Sequence, residues 1–196
     1  MACEELPEFI RTNYEVHEWN HACVILVHDF PKELKDIVDV LTEFRLLRSH
    51  IEAPGGGKSP LTAGLERAFR ERGWKETGFK EKREVNGDLL ESITHKMDCF
   101  KNRIGVEVEW NSKDQTYDRD IQTFRVLSGL GRLSVGVIIT RSDELQGMFD
   151  ALGPEVGAKY GASTTHMGKL LPRMKAGSPC PLLVFGITNK LYMENK

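Results

Sequence analysis

Two stretches of this chain, LSVGVIIT at 133–140 and PLLVFGIT at 181–188, are apolar along nearly their whole length rather than at alternate residues. A strand with one wet face alternates, whereas a strand that is apolar throughout has both faces covered. Covering both faces of a sheet takes helices on either side. The chain supplies them. In PKELKDIVDVLTEFRLL, Leu34, Ile37, Val38, Leu41 and Phe44 recur at helical spacing, with Pro31 suited to a first turn. In PLTAGLERAFRERG, Leu61, Leu65, Ala68 and Phe69 form one apolar stripe, and Gly73 suits its end. QTYDRDIQTFRVLSGL repeats the pattern through Tyr117, Ile121, Phe124 and Leu127. SDELQGMFDALG opens on Ser142 as an expected N-cap, and GKLLPRM reads as a short, Pro-interrupted helix.

The remaining signals are β. ACVILV (Ala22–Val27) reads as a short buried strand, WKETGFK and DLLESITHKMD as strands with VNG as a turn between them. The clearest is RIGVEVEW, Arg103 to Trp110. Ile104, Val106, Val108 and Trp110 point one way; Gly105, Glu107 and Glu109 point the other. The order of elements predicts an α/β fold with a mixed central β-sheet flanked by helices on both faces. A length of 196 residues predicts one domain over 1–196, with a core over about 60–190.

Composition excludes several classes. No apolar run approaches the ~20 residues that span a bilayer, and MACEELPEF has no signal-peptide pattern. Cys3, Cys23, Cys99 and Cys180 are scattered without a CxxC pair, as in a chain of the reducing cytoplasm. His17, His21 and His28 match no zinc spacing. GGGKS invites a phosphate-loop reading, but the position five before Gly57 is Glu52, so no nucleotide cofactor is expected. A hinge, or a loop approaching a partner's backbone, fits it better. Net charge is −2, yet between Gly157 and Met193 stand Lys159, Lys169, Arg173, Lys175 and Lys190 with no acid. Such a segment is suited to phosphate, or is simply a solvated basic surface.

The two carboxylates of RIGVEVEW have a dull reading, that they keep a sheet face wet. Asp98, nine positions before Glu107, offers another. If the two segments form a hairpin, strands about 4.8 Å apart bring the acids onto one face. Clustered acids repel unless a cation neutralises them, and hard oxygen ligands select Mg²⁺, with Mn²⁺ as substitute.

An acid on one strand, a short turn and E-x-K/E/Q on the next resembles the PD-(D/E)XK nuclease core. The closer resemblance is to the BglII/BstYI group of type II restriction endonucleases. It runs from about Ser59 onward through SPLTAGLERAFRERGWKE, DCFKNRIGVEVEW, LSVGVIIT and CPLLVFGI. That group shares the Ser-Pro helix ending in Gly-Trp-Lys and the nine-residue spacing from Asp to Glu-x-Gln or Glu-x-Glu. The resemblance implies Asp98, Glu107 and Glu109 as catalytic residues, with Asp98 and Glu107 holding the metal. It departs from the wider superfamily at Glu109, where lysine is usual; this leaves the number of ions open. Glu66 or Glu91 would be a fourth acid, and Lys113 a cation near the scissile phosphate. The resemblance also assigns DNA contacts to two loops: Asn111, Ser112 and Lys113, then Ser163, Thr164, Thr165, His166, Arg173 and Lys175. Their amides, hydroxyls and cations suit base edges and phosphates.

The resemblance thus implies a Mg²⁺-dependent, cytoplasmic restriction endonuclease that cuts both strands of a short palindromic site. The expected partners are double-stranded DNA and a second copy of the chain, without a membrane. TYDRDIQTFRVLSGL is the candidate dimer surface, burial within the monomer being the alternative. A structure-specific repair or recombination nuclease, a non-catalytic DNA-binding module and a metal-free regulatory domain stay open at this point.

Overall fold

The computed structural model describes residues 3–55, 57–93, 96–176 and 179–195; the side chains of residues 81, 83–85 and 89–93 lie outside the description. The chain begins with α1 (Glu8–Asn13), β1 (Tyr14–Trp19), α2 (Ala22–Asp29) and α3 (Pro31–Glu43). Then come β2 (Leu46–Leu47), α4 (Arg48–Glu52) and α5 (Pro60–Glu71). The β-rich middle holds β3 (Lys75–Thr77), β4 (Lys80–Val85), β5 (Asp88–Ile93), β6 (Met97–Lys101) and β7 (Ile104–Val108). The rest runs α6 (Thr116–Gly129), β8 (Val135–Arg141), α7 (Leu145–Ala151), α8 (Pro154–Lys159), α9 (Met167–Lys175), β9 (Leu182–Ile187) and β10 (Tyr192–Met193).

Six strands make the central sheet in the order β1-β9-β8-β7-β6-β3. β7, β8 and β9 are parallel; β1 and β6 flank them antiparallel. This is the expected mixed sheet, and helices cover both faces. Val135, Val137, Ile139, Leu183 and Phe185 join one core with residues of α2, α3 and α5. Ile138, Leu182 and Val184 join a second core under α6 and α9. The unbroken apolar runs of β8 and β9 follow from this double burial.

Local signals explain several boundaries. The Ser59 hydroxyl accepts the Thr62 N–H at 3.0 Å, with Pro60 in the first turn of α5. The chain leaves the helix at Gly73, whose φ of +83° turns it so that the Trp74 N–H reaches the Phe69 carbonyl, while the Gly73 N–H bonds to the Arg70 carbonyl. Asn102 and Arg103 both take left-handed φ, making the two-residue turn between β6 and β7. Asn86 and Gly87 do the same between β4 and β5, which pair apart from the main sheet.

Four expectations need correction. ACVILV is not a strand but most of α2, which buries Ala22, Cys23 and Leu26. An apolar run this short has no periodicity that separates strand from helix. The edge strand is instead β1, YEVHEW, which sequence reading passed over. DLLESITHKMD divides into β5 and β6, with Thr94 and His95 outside the described residues. Helix α7 starts at Leu145; Ser142 only precedes it in a turn, its carbonyl accepting the Leu145 N–H. The scattered cysteines also differ: Cys3 and Cys23 lie side by side in the fold, their Cα atoms 5.7 Å apart, while Cys99 and Cys180 are free and buried. Among the described residues no helix is long and apolar enough to cross a membrane.

Candidate active site

The site stands where the β6–β7 ladder ends. Its last backbone pair joins Cys99 to Val106. Beyond it side chains replace main chain. The Val108 N–H donates to Asp98 Oδ2 at 3.0 Å, and the Asp98 N–H donates to Glu107 Oε2 at 3.2 Å. The two acids, nine residues apart in sequence, therefore interlock across adjacent strands.

The dull reading of Glu107 and Glu109 fails on burial: Glu107 is 1% exposed and Glu109 4%. Their face of β7 lies under α6, and the register explains how closely. Gly105 pairs with Gly136 on β8. A Cβ on Gly136 would stand 2.5 Å from the Phe124 ring, so α6 rests directly on the glycine. One helical turn before Phe124 is Asp120, and one turn before that is Thr116. Two residues beyond Gly105 along β7 is Glu107, and two beyond that is Glu109. The rises nearly match, so helix and strand meet in step. The Thr116 hydroxyl donates to Glu109 Oε2 at 2.9 Å. Arg119 NH2 lies 3.3 Å from Glu109 Oε1 and 3.0 Å from Asp120 Oδ1, bridging the two carboxylates.

Asp120 is 0% exposed and was missed from sequence, as were Arg119 and Lys58. Lys58 belongs to GGGKS. Its ammonium donates to Glu66 Oε2 at 2.7 Å and acts electrostatically on Asp98. Glu66 is buried beneath it with Oε1 unpartnered. The side chain of Glu91 falls outside the described residues.

Burial holds the Asp98 carboxyl above the ordinary range; the Val108 N–H opposes this and the Glu109 charge reinforces it. Burial also pushes Glu107 well above that range, followed by repulsion from Asp120 and then from Asp98. Asp120 is raised by burial and by the Glu109 charge, with Arg119 opposing. Among the described residues, Glu107 Oε1 and Asp120 Oδ2 are buried without a hydrogen-bond donor. Bare buried carboxylate oxygens are costly, and a bound cation is one way to satisfy them. The donor set therefore fits a hard divalent ion. No three of these carboxylates bring ligand atoms within 4.8 Å of one another; among the described residues only Cys3, Glu5 and Cys23 do so.

The candidate DNA contacts fall next to this cluster. Asn111 turns the chain off β7 with φ +58°, its side-chain Oδ1 buried without a donor. Ser112–Asp114 is then stitched to 163–165. The Thr165 N–H donates to the Ser112 carbonyl at 2.8 Å, the Asp114 N–H to Ser163 at 3.1 Å, and Lys113 bridges Thr164. The two loops thus form one surface. Lys113, Ser163 and Lys175 are exposed. Thr164 is half-buried, its hydroxyl donating to Gly161 and accepting from the buried Arg141. His166 pairs with Asp143 at 2.5 Å. Arg173 is tied to Asp118 at 2.9 Å and Asp114 at 3.4 Å. Thr165 does not stand at the surface: it is 0% exposed. Its hydroxyl donates to the Glu109 carbonyl and accepts the Ser112 N–H, each at 3.2 Å. The apolar side of α6 is likewise used inside the chain, with Tyr117, Phe124 and Leu127 buried, so it is not a free dimer surface.

A family model described as Restriction endonuclease BglII/BglIII matches residues 14–187. No curated protein matches the chain.

Proposed function

Because this chain belongs to the BglII/BglIII family of restriction endonucleases and is a site-specific deoxyribonuclease, we propose that Asp98, Glu107 and Glu109 form its catalytic centre. Asp98 and Glu107 would hold Mg²⁺, or Mn²⁺ in its place. The substrate is DNA; the proposed reaction hydrolyses one phosphodiester in each strand of a short palindromic site. The observation that carries this reading is the interlocked pair Asp98–Glu107, with Glu107 Oε1 buried and bare.

When bound, the ion supplies a lowered pKa for water and charge stabilisation at the phosphate. The chain's residues do the rest. Val108 and Asp98 N–H groups fix the two carboxylates, so they need no reorganisation on binding. Glu109, gripped by Thr116 and Arg119, is held to orient or deprotonate the attacking water. Arg119, on Glu109 and Asp120, and Lys58, on Glu66 near Asp98, would supply the positive charge beside a phosphate that Glu109 cannot. Asn111, Ser112, Lys113, Ser163, Thr164, His166, Arg173 and Lys175 make up the proposed DNA surface, which Thr165 braces from within.

A palindromic site pairs with a two-fold dimer, one centre per strand. The enzyme would work as a homodimer in the cytoplasm. A sheet drawing strands from Tyr14 to Ile187 supports one domain. The test is to incubate a large unmethylated DNA with the protein and Mg²⁺ and sequence the ends. One recurrent palindromic motif is expected, with cleavage lost in Asp98→Asn while DNA binding persists. Undiminished cutting by Asp98→Asn would remove the proposed centre.

A further inference from the structure

The segment before α1 meets the first turn of α2 at a cluster that the cleavage chemistry does not use. Cys3 and Cys23 stand 20 residues apart in sequence, with their Cα atoms 5.7 Å apart. A turn closed by the Leu6 N–H on the Cys3 carbonyl at 3.2 Å returns Glu5 to the side of Cys3. The sulfurs of Cys3 and Cys23 and a carboxylate oxygen of Glu5 all lie within 4.8 Å of one another. Cys3 is 4% exposed and Cys23 0%, in the same apolar core as Leu6, Ala22 and Leu26. Glu5 is exposed, so the cluster has a dry side and a wet side. Cys23 is the second residue of α2, where the backbone N–H groups of a helix start favour negative charge. Its own N–H donates to Glu18 Oε1 at 3.0 Å, which fixes the turn that carries it.

We propose that Cys3, Cys23 and Glu5 are the protein ligands of a Zn²⁺-class ion, with water in the fourth, solvent-facing position. Thiolate sulfur is a soft ligand that takes zinc in preference to Mg²⁺. A tetrahedral ion with Zn–S bonds of ~2.3 Å sets its two sulfurs about 3.8 Å apart, which the 4.8 Å span of the group admits. Two thiolates bare in an apolar pocket are costly, and one divalent ion neutralises both. The competing state is a Cys3–Cys23 disulfide, which the same Cα separation allows and reducing surroundings oppose. A disulfide accounts for the two cysteines; an ion accounts as well for the carboxylate that the turn brings to them. The ion is distinct from the one proposed for Asp98 and Glu107. It would fasten the segment before α1 to α2, and so close the loop that carries α1 and the edge strand β1.

The experiment adds Co²⁺ alone to the reduced, metal-free full chain and reads the absorption spectrum. Wild type should show a thiolate-to-cobalt charge-transfer band in the near ultraviolet and tetrahedral d–d bands in the visible, saturating at one ion per chain, a readout that needs no variant to fold. Zn²⁺ should displace the Co²⁺ and excess Mg²⁺ should not. Cys3→Ser and Cys23→Ser should each abolish the tetrahedral two-thiolate spectrum, Glu5→Gln should weaken the binding, and Asp98→Asn should change nothing. Reduced wild type without the bands overturns the site, as does a spectrum that survives both cysteine substitutions. Bands lost in Asp98→Asn assign the ion to the carboxylates and overturn it too. So does protein isolated without zinc and with Cys3 joined to Cys23 in peptide mass maps. Equal Co²⁺ affinity in Glu5→Gln removes the carboxylate from the ligand set. Cleavage by wild type in Mg²⁺ remains the separate test of the proposed function.

Discussion

Replacing Glu107 with Gln should stabilise the cation-free protein while abolishing cleavage. Glu107 is buried among Asp98, Asp120 and Glu109, and its Oε1 has no donor. A buried polar atom left unsatisfied costs roughly 1–3 kcal/mol. The Gln amide keeps an oxygen for the Asp98 N–H and turns its NH₂ towards the acids that repelled the carboxylate. The expected gain is therefore about 1–3 kcal/mol, and each kcal/mol raises Tm about 2–4 °C in a chain of this size.

The pH dependence fixes the sign. Burial first, then Asp120 and Asp98, raise Glu107 above its unfolded value. Between the unfolded and folded values the folded state binds the extra proton, so wild-type stability falls as pH rises through that window. The advantage of Glu107→Gln should be small near pH ~4, where unfolded carboxyls titrate, and largest above neutrality. Thermal melts in a chelator, from about pH 5 to pH 8, measure it. Added Mg²⁺ should raise Tm in wild type only, since binding to the native state adds RT ln(1 + [L]/Kd). Cleavage by the variant should fall by at least ~10²-fold, the scale of losing one preorganised electrostatic group. A variant less stable than wild type in chelator at pH ~8, or an offset that does not change with pH, would refute the reasoning.

Two further outcomes follow from packing. Thr165→Val leaves the Ser112 N–H and Glu109 carbonyl without their buried partner, so stability should drop by about 1–3 kcal/mol; turnover should fall while DNA affinity holds, and Thr165→Ser should restore both losses. Weaker DNA binding at unchanged Tm would instead mean that the hydroxyl meets DNA. Gly136→Ala places a Cβ 2.5 Å from the Phe124 ring, and overpacking of this kind costs about 1–3 kcal/mol; denaturant melts should show it, with a loss of cleavage as α6 lifts Asp120 and Thr116 from β7.

What could be read from sequence was whatever a short period or a short loop determines. Alternation in RIGVEVEW fixed which side Glu107 faces, and a two-residue turn at Asn102 and Arg103 brought Asp98 alongside. The unbroken apolar runs of β8 and β9 gave the double-sided burial. Asp120 was beyond reach for a different reason. It lies on the same face of α6 as Phe124, but its partner depends on how the helix is seated on the sheet. That seating is set where Phe124 rests on Gly136, which pairs in the sheet with Gly105, 31 residues away in sequence. Lys58 was set aside with a failed nucleotide motif, although a glycine-rich loop can carry a cation to a site for reasons unrelated to nucleotides. Thr165 shows the limit of composition: a loop rich in hydroxyls does not reveal which of them points inward.

The arrangement also bears on how reading a sequence could control cutting. Two residues separate Glu109 from Ser112, and the loop at 163–165 is bonded to both ends of that interval. The proposed DNA surface and the proposed catalytic strand are therefore parts of one hydrogen-bonded unit. A misfit at the loop that strained the Thr165 hydroxyl would pull on the Glu109 carbonyl. It would shift a carboxylate already held between Thr116 and Arg119. Misplacement of about 1 Å can cost ~10²-fold in rate. On the proposed function, discrimination between sites should then show more in the rate of cleavage than in the affinity for DNA, because the same bonds that seat the loop aim the acid.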